Sequence, residues 1–128
     1  MISYGFTKEV DAPFEQILER LPKLLEKEGF GAVSTIDIGQ KMRDKLGVDF
    51  RKYVIVGACS PKNAYRALTA EENIGLMLPC NMIVYEKDGK TVVGSIRPTE
   101  MMKAIGNDAL TSVAAEVEAS LKRVLDSI

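Results

Sequence analysis

Histidine and tryptophan are absent from this 128-residue chain, and cysteine occurs only twice. Without histidine, one chain cannot assemble a Ser-His-Asp triad, a Cys-His pair, an HExxH zinc site or a histidine-ligated haem. Any chemistry must use thiols, carboxylates, amines, hydroxyls or the backbone. No apolar run approaches the roughly 18 residues of a membrane span, so no membrane partner is expected. The opening stretch MISYGFTKEVDAP has no apolar segment of the secretory kind and carries Lys8 and Glu9 early. P-loop and GxGxxG patterns are missing. Asp37, Asp44 and Asp49 do not follow calcium-loop spacing. There is no internal repeat or low-complexity tract.

A basic bias is missing too. Seventeen Lys+Arg face eighteen Asp+Glu, a formal charge of −1. Nucleic-acid binders usually carry a positive surplus, so no nucleic-acid partner is expected. One local surplus exists in Lys41–Lys52, where Lys41, Arg43, Lys45, Arg51 and Lys52 outnumber Asp44 and Asp49. It reads as a solvated helix and loop, with an anion patch as the alternative.

What is present is an ordinary core. Hydrophobic residues make up 46% of the chain, and a chain of this length buries roughly two thirds of its unfolded surface. One domain over residues 1–128 needs no disulfide or metal to fold. The two cysteines, Cys59 and Cys80, lack disulfide-framework and zinc-finger spacing. Free thiols and no signal segment point to the cytoplasm.

Ile2, Tyr4, Phe6 and Val10 alternate with polar residues or glycine, which predicts a strand with one buried face. Asp11 offers a helix cap before Pro13, and Phe14, Ile17, Leu18, Leu21, Leu24 and Leu25 follow at helical spacing. Pro22 should kink that helix, and Gly29 should end it. Phe30–Ile38 reads as a second strand and Gly39–Leu46 as a short helix closed by Gly47. Tyr53–Cys59 is apolar on both parities, which predicts a central strand covered on both faces. Ser60 and Pro61 then open a helix with Ala64, Tyr65 and Leu68 inside.

Ile74–Pro79 reads as an apolar connection. Asn81–Lys87 and Lys90–Arg97 are strands joined by Asp88-Gly89, a tight-hairpin signal because the turn wants positive φ. Met101, Met102 and Ile105 suggest a short helix ended by Gly106. Asp108 should cap a long helix whose apolar residues run from Leu110 to Ile128, roughly 30 Å at 1.5 Å per residue. Glu118 and Lys122 form an i,i+4 pair on its outer face. The expected class is α+β: a β-α-β(4)-α order with an antiparallel or mixed sheet, helices on one face of it, a long C-terminal helix and short inserted helices.

The hairpin fixes a register in which Lys87 pairs with Lys90 and Cys80 lies opposite Arg97. Opposite residues have Cβ atoms about 5 Å apart, and a guanidinium that close would lower the Cys80 pKa. Cys59 ends strand three at a helix start, another setting that favours thiolate. If strand four returns beside strand three, Cys59 and Cys80 meet at one sheet edge. The plainer reading of each is burial as a small hydrophobe. A metal site is not expected, because two thiols without histidine lack the usual third and fourth ligands. Met77, Met82, Met101 and Met102 read as core filling, and Gly57 and Gly94 as relief of tight strand packing.

GACSPKNAYRAL (Gly57–Leu68) and IGLMLPCNMIVYE (Ile74–Glu86) resemble a family of small uncharacterised prokaryotic proteins, domain of unknown function 302. The marks are the Gly-Ala-Cys-x-Pro step at Gly57–Pro61 and the Leu-Pro-Cys-Asn step at Leu78–Asn81. The matching positions are Cys59, Pro61, Pro79, Cys80 and Asn81. Ser60 stands where the family commonly has Asn, and Arg97-Pro98 where an acidic residue before Pro is frequent. The resemblance implies a TATA-binding-protein-like α+β fold, with a curved, mainly antiparallel sheet covered by a long C-terminal helix, and a homodimer. It implies no activity, cofactor or catalytic residue.

Two functions follow as expectations. One is a small-ligand-binding or dimeric module, with a candidate site at Cys59, Ser60, Cys80, Asn81 and Arg97. The other is a thiol-dependent redox or transfer enzyme using Cys59 and Cys80, which requires a depressed thiol pKa.

Overall fold

The computed structural model describes residues 2–128. Its strands are β1 (Gly5–Val10), β2 (Gly31–Asp37), β3 (Tyr53–Cys59), β4 (Cys80–Lys87) and β5 (Lys90–Ile96). Its helices are α1 (Phe14–Lys27), α2 (Ile38–Leu46), α3 (Pro61–Ala70), α4 (Pro98–Lys103) and α5 (Thr111–Asp126), with 3-10 turns at Glu72–Met77 and Asp108–Leu110. The sheet order is β1-β5-β4-β3-β2, and every neighbouring pair is antiparallel. No helix is long and apolar enough to cross a membrane among the described residues.

Strand periodicity sorts the side chains onto two faces. Val54, Val56, Met82, Val84 and Val93 point to one face and are buried. Phe14, Ile17, Leu21 and Leu25 of α1 and Val117, Leu121 and Val124 of α5 are buried in the same core. The other face of β3 carries Tyr53 and Ile55, which stay half-exposed. Apolar residues on both parities therefore did not mean cover on both sides. β3 is next to the edge strand β2, and the helices lie on one face.

The hairpin register holds from Lys87↔Lys90 through Met82↔Ser95. Asp88 and Gly89 supply the positive φ of the turn, at 52° and 79°. The caps differ from expectation. Asp11 binds Lys90 instead of capping α1, whose first turn follows Pro13. Asn107, not Asp108, caps the turn before α5 by accepting from the Ala109 N–H at 3.0 Å. α1 runs unbroken through Pro22. Its end matches the glycine signal: Gly29 has φ 80°, and the Phe30 N–H reaches the Leu25 carbonyl at 2.9 Å.

Gly57 is a packing glycine. A Cβ there would sit 2.7 Å from Cγ of Pro79 and would also strike the Ser34 hydroxyl. Ser34 can rotate; the proline ring cannot yield without moving the connection into β4. Gly57→Ala is expected to lower the unfolding free energy by about 1–3 kcal/mol. Leu121→Ala, at a fully buried position, should cost about 2–5 kcal/mol. Urea titrations should show both as lower midpoints at unchanged slope. A Gly57→Ala protein as stable as the parent would contradict the close packing at Pro79.

Candidate functional site

The ends of β3 and β4 lie side by side, because Ala58 pairs with Cys80. Cys59 is one residue beyond that pair, where the chain turns into α3. Both thiols are free, and both line one apolar cavity of about 40 Å³. Ala67 of α3, Met102 of α4 and Val113 and Val117 of α5 close it. Ser60 and Asn63 are its polar residues besides the thiols. The Ser60 hydroxyl does not cap α3; it accepts a hydrogen bond from Nδ2 of Asn63 at 3.2 Å. Asn63 in turn accepts one from Arg66 at 3.0 Å, and Arg66 is paired to Glu116 at 2.6 Å. The polar rim is thus tied to α5 by a chain of side chains.

Burial sets the chemistry of Cys80. Its thiol is pushed up from the ordinary 9.0 to about 11, first by desolvation and then by the neighbouring Cys59. Taking a thiolate out of water is unfavourable in the absence of a cation. The depressed pKa expected from Arg97 is therefore overturned. Arg97 leaves the strand: β5 ends at Ile96, and Arg97 is the residue before α4. Its guanidinium donates to Oε2 of Glu118 at 3.4 Å and to the Ser3 carbonyl at 3.3 Å, and lies 5.2 Å from the Phe6 ring centroid. Glu118 also accepts from the Thr99 hydroxyl at 2.6 Å. Glu118 is therefore not on an outer face, and Lys122 pairs with Asp126 instead, at 2.7 Å.

Of the five residues singled out from sequence, Cys59, Ser60 and Cys80 meet at this cavity. Asn81 pairs with Gly57 on the opposite face of the sheet, and Arg97 serves the α4–α5 contact. Sequence reading missed the helical walls, Ala67, Met102, Val113 and Val117. The apolar spacing of α5 marked its two valines as core, but nothing local says which core residues border a gap. No group of three or more Cys, Asp or Glu side chains could hold a metal among the described residues.

A family model described as domain of unknown function DUF302 matches residues 6–128. The fold is also similar to a crystal structure of an uncharacterized conserved protein DUF302 from Bacillus stearothermophilus. That chain has a TM-score of 0.91 and 32% identity, with 98% of each chain covered. Comparison with curated proteins gives no match. Neither similarity carries an activity.

The thiol shift has a sign that can be tested. The fold favours the neutral thiol, so Cys80 contributes stability in full below pH about 9.0, and the contribution is lost as pH rises through about 11. Relative to Cys80→Ala, the parent should lose urea stability across that window and not below it. Iodoacetamide labelling of Cys80, read by peptide mass spectrometry, should be slow at pH 8 and accelerate toward pH 11. A stability difference that is flat between pH 8 and 11 would show that burial does not hold the thiol neutral.

Proposed function

The chain belongs to the family described as domain of unknown function DUF302, and from that premise we propose that it is a small-ligand-binding module. The reading is carried by the apolar cavity where β3 and β4 meet α3, α4 and α5. Binding sites join an apolar wall to a few placed polar groups, and here Ser60 and Asn63 supply them. A cavity of about 40 Å³ accepts one compact apolar group, so the rest of the ligand lies at the mouth. Cys59 and Cys80 act as walls. The raised pKa of Cys80 favours this role over nucleophilic or redox chemistry, since the thiolate is the reactive species. Free thiols suit a reducing cytoplasm.

The module works as a homodimer joined at β2. This edge strand, Gly31–Asp37, carries one charged residue, Asp37 at its end, no Lys or Pro, and a bulge between Ala32 and Ser34. Val33 and Ile36 on it are 60% and 39% exposed. Antiparallel pairing of two β2 strands about a two-fold axis would satisfy the free backbone groups and cover both side chains.

Native mass spectrometry of protein purified without added ligand should show a retained small molecule. Ala67→Leu, which fills the cavity, should release it while thermal unfolding stays cooperative. Xenon, about the size of the cavity, should give a bound ¹²⁹Xe signal in the parent and none in Ala67→Leu. A parent with neither adduct nor xenon signal has no usable cavity. Light scattering should report two chains for the parent and one for Val33→Lys/Ile36→Lys; an unchanged mass would move the interface elsewhere.

A further inference from the structure

The face of the sheet that no helix covers is concave, and it lies apart from the cysteine cavity. Two concavities of about 250 and 470 Å³ lie on it. They share Ile2, Tyr4, Thr7, Tyr53 and Ile83, and so form one trough across β1, β5, β4 and β3. Three of the four tyrosines of the chain line it; Tyr65 of α3 does not.

Its wider end is aromatic and cationic. The rings of Tyr53 and Tyr85 stack with centroids 5.1 Å apart and planes 4° from parallel. Phe50 adds a third ring, 6.4 Å from Tyr53. The Arg51 guanidinium lies 6.0 Å from the Tyr85 centroid, and Lys87 lines the same end. Neither cation belongs to any of the ion pairs between described residues. No acidic residue lines either concavity. Glu9, the acidic residue on this face of β1, lies outside them, beside Lys90.

We propose that this trough binds a small planar aromatic anion, its ring against the Tyr53–Tyr85–Phe50 cluster and its carboxylate, sulfonate or phosphate on Arg51 and Lys87. An apolar ligand alone would leave both cations without a counter-charge. A second copy of the chain would press like charges together at this end, because no carboxylate lines either concavity to meet Arg51 and Lys87, and Glu9 on this face is taken up beside Lys90. Burying unpaired cations is unfavourable. A planar anion meets both requirements: rings stack on rings, and guanidinium and ammonium take up the charge.

The test is a fluorescence titration of the whole chain with 8-anilinonaphthalene-1-sulfonate and with its neutral relative N-phenyl-1-naphthylamine. The sulfonate should bind at one site per chain. Arg51→Gln/Lys87→Gln, which removes both charge-assisted contacts, should weaken the sulfonate by about tenfold or more and leave the neutral probe within about twofold. Tyr85→Ser should weaken both. The altered side chains are at the surface, and circular dichroism and urea midpoints check that the variants fold. Equal losses for both probes, or no loss for the sulfonate, would overturn the proposal. So would a parent that leaves the sulfonate dark.

Discussion

The packing of α5 against the sheet is the contact on which the rest of the molecule depends. Five antiparallel strands present one strongly apolar face, and a face of that kind must be covered by another layer. α1 covers part of it, and α5 lies beside α1 with Val113, Val117, Leu121 and Val124 buried. Polar contacts hold the helix along its length, and besides the Arg66–Glu116 pair two of them tie it to the sheet and to α4. Lys8 of β1 donates to the Ile128 carbonyl at 2.7 Å and the Leu125 carbonyl at 3.4 Å. A cation there satisfies free carbonyls and opposes the negative end of the helix. Glu118, in the middle of the helix, collects Arg97 and Thr99 and so fastens α4 as well. The cavity at Cys59 and Cys80 follows from this arrangement. It is the gap left where α3, α4 and α5 come together over the strand ends without a large side chain to fill it.

Much of this was readable along the chain. Strand order, the hairpin register and the long C-terminal helix rest on local rules: alternation, a turn that needs positive φ, and spacing of apolar residues. The meeting of Cys59 and Cys80 came from topology, since strand four had to start where strand three ended. What failed were inferences that reached past the end of a local pattern. Extending the hairpin register by two residues placed Arg97 against Cys80. The strand stops at Ile96, and Arg97 turns toward Glu118 instead. The two-sided apolar pattern of β3 was also misread, because half-exposed Tyr53 and Ile55 look the same in sequence as buried residues. Which residues border a gap is set by three helices at once, and no single segment records that.

The two thiols show how magnitude decides between readings. A cation opposite Cys80 and a dry pocket around it act in opposite directions on the same proton. Only the pocket is there, with a second thiol beside it, and the result is a thiol raised to about 11. At neutral pH the fraction of thiolate in such a group is on the order of one in ten thousand. A thiol enzyme needs the opposite, so without histidine and with Arg97 committed to Glu118, Cys80 is better suited to shaping a cavity than to attacking a substrate.

The two faces of the sheet therefore carry different physics. On the helix side, polar atoms are satisfied within the protein: no buried side-chain nitrogen or oxygen lacks a partner among the described residues. That side can take an apolar group without rearranging its hydrogen bonds. On the open side, a cluster of aromatic rings stands beside two cations that belong to no ion pair between described residues. Cross-strand pairing accounts for the stacking of Tyr53 on Tyr85, but not for Tyr4, Phe50, Arg51 and Lys87 lining the same concavity. Their convergence on one concave patch is what a binding face requires and a merely solvated sheet does not.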